Sequence, residues 1–163
     1  MEKGAPQMRL YLITHHQAVP REDVEDMSKR PLSDKGRQDA KNLAKFLKAN
    51  GENVDRVLHV ETSWTRENAE LLASELGGVK AEATAYPLQA DDDIAPFIDE
   101  VKGCSDNVAL TGPSNICFKS IAQLLTGRQE PYITDLANGV CACLERGDDG
   151  SWSMQWMNRP EQL

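Results

Sequence analysis

The chain has 163 residues, a formal net charge of −8, 40% apolar residues and 27% charged ones. That length suits one domain with a proper core, and an acidic balance with its basic residues scattered argues against a nucleic-acid or anionic-membrane partner and for a small molecule or another protein. No apolar stretch approaches the roughly 20 residues of a membrane-spanning helix, the start MEKGAPQ lacks the order of a signal peptide, and the expected compartment is the cytoplasm.

In chain order, MRLYLITHHQA (Met8 to Ala18) opens with a strand-type apolar run, Leu10 to Ile13, that ends in two histidines, His15 and His16. The carboxyl end of such a strand is where an open α/β sheet places its chemistry. The polar loop QAVPREDVEDMSKRPLSDKG follows and is long enough to be functional or mobile. Ser33 is the expected cap of a helix with Ala40, Leu43, Ala44 and Leu47 on one face, stopped by Asn50-Gly51. DRVLHV (55–60) reads as the second strand, and the next helix carries Ala69, Leu72, Ala73 and Leu76 before Gly77-Gly78 end it.

Tyr86 to Leu88 read as an extended segment, and Asp91 to Asp93 as the acidic lead of a short helix running through Val101, suited to the positive end of a helix dipole. A carboxylate metal site there is disfavoured, because no other ligand is spaced to complete a shell. NVALTG (107–112) is a buried strand that breaks at Gly112-Pro113 before a helix with Phe118, Ile121, Ala122 and Leu125 inward. GVCACLE and SWSMQWM alternate like two antiparallel strands around RGDDGS, which puts Trp152, Met154 and Trp156 on one core-facing side. Cys104, Cys117, Cys141 and Cys143 show no metal-ligand spacing, and Cys141 and Cys143 read as reduced, half-buried thiols. The alternation of strand and helix predicts a single-domain, three-layer α/β/α fold with a mainly parallel central sheet.

Three strand ends then converge on one crevice: Thr14-His15-His16, His59 to Arg66, and Thr111 to Asn115. Adjacent strand residues face opposite sides, so His15 and His16 do not readily chelate one ion, and a nucleophilic or acid–base histidine is the better functional reading. From the dipeptide alone, two histidines that merely hydrogen-bond loop backbone are the plainer reading.

The segments MRLYLITHHQA, RPLSDKGRQDAKNLAKFL, DRVLHVETSWTRENAELLASEL, NVALTGPSNICFKSIAQLLTG and SWSMQWMNRP follow in order. Together they resemble the landmarks of the histidine phosphatase superfamily, whose fold is phosphoglycerate mutase-like, and specifically those of the small bacterial SixA-type phosphohistidine phosphatases. The resemblance covers about residues 8–160, so residues 1–7 read as an N-terminal extension and 8–163 as a histidine phosphatase-like domain. It implies a fold in which an arginine–histidine–glycine triplet follows strand one. The histidine is phosphorylated as the nucleophile, two arginines and a second histidine bind the phosphoryl group, and no cofactor or metal is used. Carried over residue by residue, the nucleophile falls on His15, the arginine before it on Thr14 and the glycine after it on His16. The second arginine, anchored on AELL (69–72), falls on Trp64, and the second histidine, anchored on Gly112, falls on Pro113.

Three of the four core pocket positions are therefore substituted. Arg66 lies two residues past the expected arginine, about 200° round a helix. Arg21 and Arg30, in or beside the first loop, and Ser114 are the remaining candidates for phosphate contacts, although both loop arginines read more simply as solvated surface charge. Losing two arginines forfeits on the order of 3–6 kcal/mol of phosphate affinity, and removing one preorganised donor commonly costs about 10²–10³ in rate. The first expectation is thus an inactive pseudoenzyme, a binding or regulatory protein with an unidentified protein partner. Its pocket is lined by Thr14, His15, His16, Thr62, Ser63 and Ser114 and partly filled by Trp64. The second is a residual phosphohistidine phosphatase using His15, acting on a small phosphorylated ligand or a phosphohistidine-bearing protein.

Overall fold

The computed structural model describes residues 8–134 and 137–163; the segment 1–7, expected as an extension, lies outside the described residues. Its strands are β1 (Arg9–Thr14), β2 (Arg56–His59), β3 (Lys80–Ala83), β4 (Val108–Gly112), β5 (Cys141–Arg146) and β6 (Trp152–Asn158). The helices are α1 (Asp34–Ala49), α2 (Ser63–Glu75), α3 (Ala95–Gly103) and α4 (Ser114–Thr126). The six strands form one sheet in the order β3-β2-β4-β1-β5-β6. β3, β2, β4 and β1 are mutually parallel, while β5 pairs antiparallel with β1 and with β6.

Alternation along β1 explains the three layers. Leu10 and Leu12 point to one face, where Phe97, Ile98 and Val101 of α3 and Ile116, Cys117 and Ile121 of α4 close the core. Tyr11 and Ile13 point to the other, against Leu43, Ala44 and Leu47 of α1 and Ala69, Leu72 and Ala73 of α2. Side chains that alternate across a strand can feed two cores at once only if helices cover both faces. This is the expected α/β/α fold with a mainly parallel sheet.

Four local expectations are corrected. The third extended segment is β3 at Lys80–Ala83, not Tyr86 to Leu88. β3 pairs only with β2, and its charged residues Lys80 and Glu82 join Arg56 in a surface ion-pair group, so no apolar alternation betrays it. Asp91 to Asp93 do not lead the helix, which begins at Ala95 with a proline in its first turn. Asp92 instead accepts from the Gln89 N–H at 2.7 Å and Asp93 from the Ala95 N–H at 3.0 Å, so these carboxylates shape the turn before α3. Trp152, Met154 and Trp156 do not share a face. A β-bulge between Cys143 and Leu144 sets Cys143 opposite Trp156 but Leu144 opposite Met154, sending Trp152 and Met154 to the α3/α4 core and Trp156 to the other. Cys141 and Cys143 are fully buried rather than half-buried, because β5 lies inside the sheet, and burial pushes the Cys143 thiol up to about 12.

The motif RPLS followed by Gly36 receives a direct physical account. Ser33 caps α1, accepting from the Gly36 N–H at 3.0 Å, and its own N–H donates to the Gln17 carbonyl at 2.9 Å. A Cβ on Gly36 would lie 2.0 Å from that same carbonyl oxygen. The loop leaving β1 is thus pressed onto the first turn of α1, where only glycine leaves room. We expect Gly36→Ala to lower the unfolding free energy by about 2–3 kcal/mol, the cost of overpacking against backbone, measured by urea denaturation.

Candidate active site

The carboxyl ends of β1 and β4 meet where Thr14 pairs with Gly112 and the His15 N–H donates to the Gly112 carbonyl at 3.1 Å. His15, Arg21, Thr62, Trp64, Thr65, Gln89, Ala90 and Pro113 line a cavity of about 130 Å³ at this point. Its wall is tied together by Asn115 of α4, whose side-chain amide donates to the Ala90 carbonyl.

His15 is held in one orientation. Its Nδ1 lies 2.9 Å from the His16 carbonyl oxygen, an acceptor, so Nδ1 carries the proton and Nε2 keeps its lone pair in the neutral ring. Burial holds the imidazole below its ordinary pKa, reinforced by the charges of Arg30 and Arg21 and opposed by the bond to the His16 carbonyl. The indole of Trp64 stands edge-on to the ring, with centroids 6.3 Å apart.

The loop after β1 forms an arm over this cavity. Ala18 bridges Leu32, and the Val19 N–H donates to the Pro31 carbonyl at 3.0 Å, so the arm is a pinched hairpin-like excursion. The Ser63 hydroxyl donates to the Arg30 carbonyl at 2.6 Å and anchors the arm to α2. Arg21 and Arg30 are thereby delivered to Trp64, with guanidinium carbons 5.6 and 4.8 Å from the ring centroid. Arg21 is exposed, as expected from the sequence, whereas Arg30 is half-buried, and both guanidiniums are gathered on one ring. Arg30 also donates through Nε to the Val19 carbonyl at 2.7 Å, and among the described residues neither guanidinium reaches a carboxylate.

The other candidates divide. Trp64 and Pro113 line the cavity, whereas Thr14, His16, Ser63, Ser114 and Arg66 do not. The Thr14 hydroxyl donates to the Ala137 carbonyl at 2.6 Å and accepts from the Val140 N–H at 3.0 Å, so it fastens β1 to the entry of β5. Arg66 is exposed on α2. Thr62 and Thr65 face the cavity but spend their hydroxyls on the start of α2: the Thr65 hydroxyl donates to the Val60 carbonyl at 2.8 Å, and Thr62 accepts from the Thr65 N–H at 3.3 Å. Sequence reasoning missed Gln89, Ala90 and Thr65 as lining, since the first two fell between the extended segment expected at Tyr86 to Leu88 and the helix lead expected at Asp91 to Asp93. Among the described residues no group of three or more histidine, cysteine or acidic side chains is placed to hold a metal.

His16 is fully buried. Asn68 Oδ1 accepts from its backbone N–H at 2.7 Å and from its Nδ1 at 3.0 Å, so Nε2 carries no proton and finds no partner among the described residues. Burial lowers its pKa to about 4. The folded value lies below the unfolded one, near 6.5, so the unfolded chain binds the extra proton between them and stability falls as pH drops through that window. We expect about 3 kcal/mol of stability to be lost between pH 7 and pH 4 on this account, and His16→Gln to flatten that part of the profile in urea unfolding followed against pH.

No protein-family model matches the chain, and no curated protein matches it in sequence. Solved structures match over nearly its whole length. The protein histidine phosphatase SixA, solved with tungstate, aligns with a TM-score of 0.77 at 20% identity over 96% of this chain and 99% of its own. The alpha-ribazole phosphatase from Shigella flexneri aligns at 0.74 and 15%, over 94% and 97%. A mycobacterial glucosyl-3-phosphoglycerate phosphatase aligns at 0.64 and 13%, over 91% and 97%. These three bear different substrates in their names and one architecture in common, and it is this architecture, the histidine-phosphatase fold, on which the present chain is built.

Proposed function

We propose that the chain is a binding or regulatory protein that holds a small phosphorylated ligand at the His15 cavity and turns it over slowly or not at all. The observation that carries this reading is the pair of guanidiniums, Arg21 and Arg30, gathered on the Trp64 ring beside His15 without a carboxylate partner among the described residues. Two like charges held close repel each other, and partial burial together with the Arg21 charge already lowers the Arg30 pKa. An anion entering the cavity beside Arg21 and His15, with Arg30 behind it on Trp64, offsets that repulsion.

The same lining argues against efficient hydrolysis. A phosphomonoester needs a proton delivered to its leaving oxygen, and among the described residues the cavity lining contains neither a carboxyl group nor a second imidazole to supply it. At the aligned positions Thr14, Trp64 and Pro113 offer no cation, and Pro113 lacks even a backbone N–H.

A second reading, a residual phosphohistidine phosphatase, is favoured by the state of His15 itself. Its proton is fixed on Nδ1 by the His16 carbonyl, which leaves Nε2 as the in-cavity nucleophile.

The two readings separate in one set of measurements. We expect p-nitrophenyl phosphate and phosphohistidine to be hydrolysed at background. Orthovanadate should bind, with affinity falling about tenfold or more in Arg21→Ala, the loss of one charge-assisted hydrogen bond, and by less in Arg30→Ala, whose charge acts from behind Trp64. Robust turnover that disappears in His15→Ala would establish the second reading, and absence of vanadate binding would remove the first.

A further inference from the structure

Beside the His15 cavity lies a larger one, of about 260 Å³, lined by Glu61 and by the run from Thr84 to Gln89. The two adjoin. Gln89 belongs to both, and the consecutive residues Glu61 and Thr62 divide between them.

We infer that this second cavity is the other half of the ligand site and receives an alkylammonium group, so that the ligand class is an aminoalkyl phosphate. The inference rests on the reading of the His15 cavity as an anion site. Its own support is the polar accounting of the second cavity. The Thr84 hydroxyl donates to the Tyr86 carbonyl at 2.7 Å, the Gln89 N–H donates to Asp92 at 2.7 Å, and the Tyr86 hydroxyl donates to Glu100. These donors are spent inside the protein. The Glu61 carboxylate is not: it is exposed on the rim and makes no hydrogen bond or ion pair among the described residues. The rest of the lining is the half-buried ring of Tyr86, held in place by its hydroxyl bond, together with Pro87 and buried Leu88.

A free carboxylate beside an aromatic ring and aliphatic walls suits an organic cation, whose charge meets the carboxylate and whose carbons meet the ring. It repels a second anion. Across the shared Gln89 the field reverses, with Arg21 at the His15 cavity and Arg30 behind it on Trp64. A ligand with a phosphate at one end and an ammonium at the other thus meets opposite charge at both ends. Consecutive residues, about 3.8 Å apart at Cα, separate the two compartments, so a short spacer spans them.

The test is calorimetric titration of the full chain with four probes: orthovanadate, ethyl phosphate, O-phosphoethanolamine and phosphocholine. We expect the two amino compounds to bind about tenfold more tightly than ethyl phosphate, a preference lost in Glu61→Gln. Vanadate affinity should be the same in that variant as in the parent, and since Glu61 is exposed the substitution leaves the fold intact. Equal affinity for all three phosphate esters, with vanadate still bound, overturns the second compartment and leaves the anion site standing. A preference that persists in Glu61→Gln overturns it as well. Failure of vanadate and of every ester to bind overturns the anion reading, and this inference with it.

Discussion

The pocket hangs from one backbone carbonyl. The oxygen of Gln17 accepts from the N–H of Ser33 and lies so near the Gly36 Cα that no other residue fits there. This junction closes a 15-residue excursion of chain, residues 18–32, at its neck, and everything the cavity draws from that excursion depends on it. If the neck opened, Arg21 and Arg30 would lose their fixed approach to Trp64, and the backbone that follows His15 and His16 would be free to leave α1. A loop of this length carries a large entropic cost when ordered, and here the ordering is concentrated in a few bonds at its base. The positioning of charge is therefore a property of α1 and its cap as much as of the arm.

The electrostatic character of the cavity differs from that of a clamp built on rigid elements. Arginines placed on a strand end and a helix turn are fixed by the core behind them. Arg21 and Arg30 come from 3-10 turns and their flanks, and the surface that orders them is the aromatic face of Trp64. A cation on an exposed aromatic face gains roughly 0.5–1 kcal/mol, less than a charge-assisted hydrogen bond to an anion, so the resting contact yields readily to a ligand. Trp64 is the device that gathers the two cations. Catalysis asks for donors placed within about half an ångström of the developing charge, whereas binding tolerates a softer arrangement.

Much of this was legible in the sequence, and for definable reasons. Periodic apolar faces placed α1, α2 and α4, and the turn chemistry of Ser33 and of Gly77-Gly78 set their limits, because these signals are local. His15 at the end of β1, with Trp64 and Pro113 near it, followed from a resemblance that depends on the order of whole segments. Apart from Asp91 to Asp93, whose partners Gln89 and Ala95 are local, the failures share a cause, which is that the deciding neighbour is distant in sequence. β3 hid because its partner is Arg56 and its outer side has none. Thr14 looked like lining until its hydroxyl was found on Ala137 and Val140, more than a hundred residues away. Arg30 looked fully solvated because nothing local tells it of Trp64. The bulge at Cys143 is equally silent in a sequence that alternates evenly on both sides of it.

That bulge bears on how the molecule behaves in company. A sheet edge with free N–H and C=O groups invites another chain to add a strand, and long, flat edges are where aggregation starts. Both edges here are poor templates. β3 is four residues long and carries Lys80 and Glu82, while β6 is kinked and twisted by the bulge partway along its pairing with β5. The sheet therefore discourages growth by strand addition at either side. An acidic chain with two blunted edges is protected against self-association through its backbone, which leaves the loop-bearing end, with its side-chain chemistry, as the face on which recognition is built.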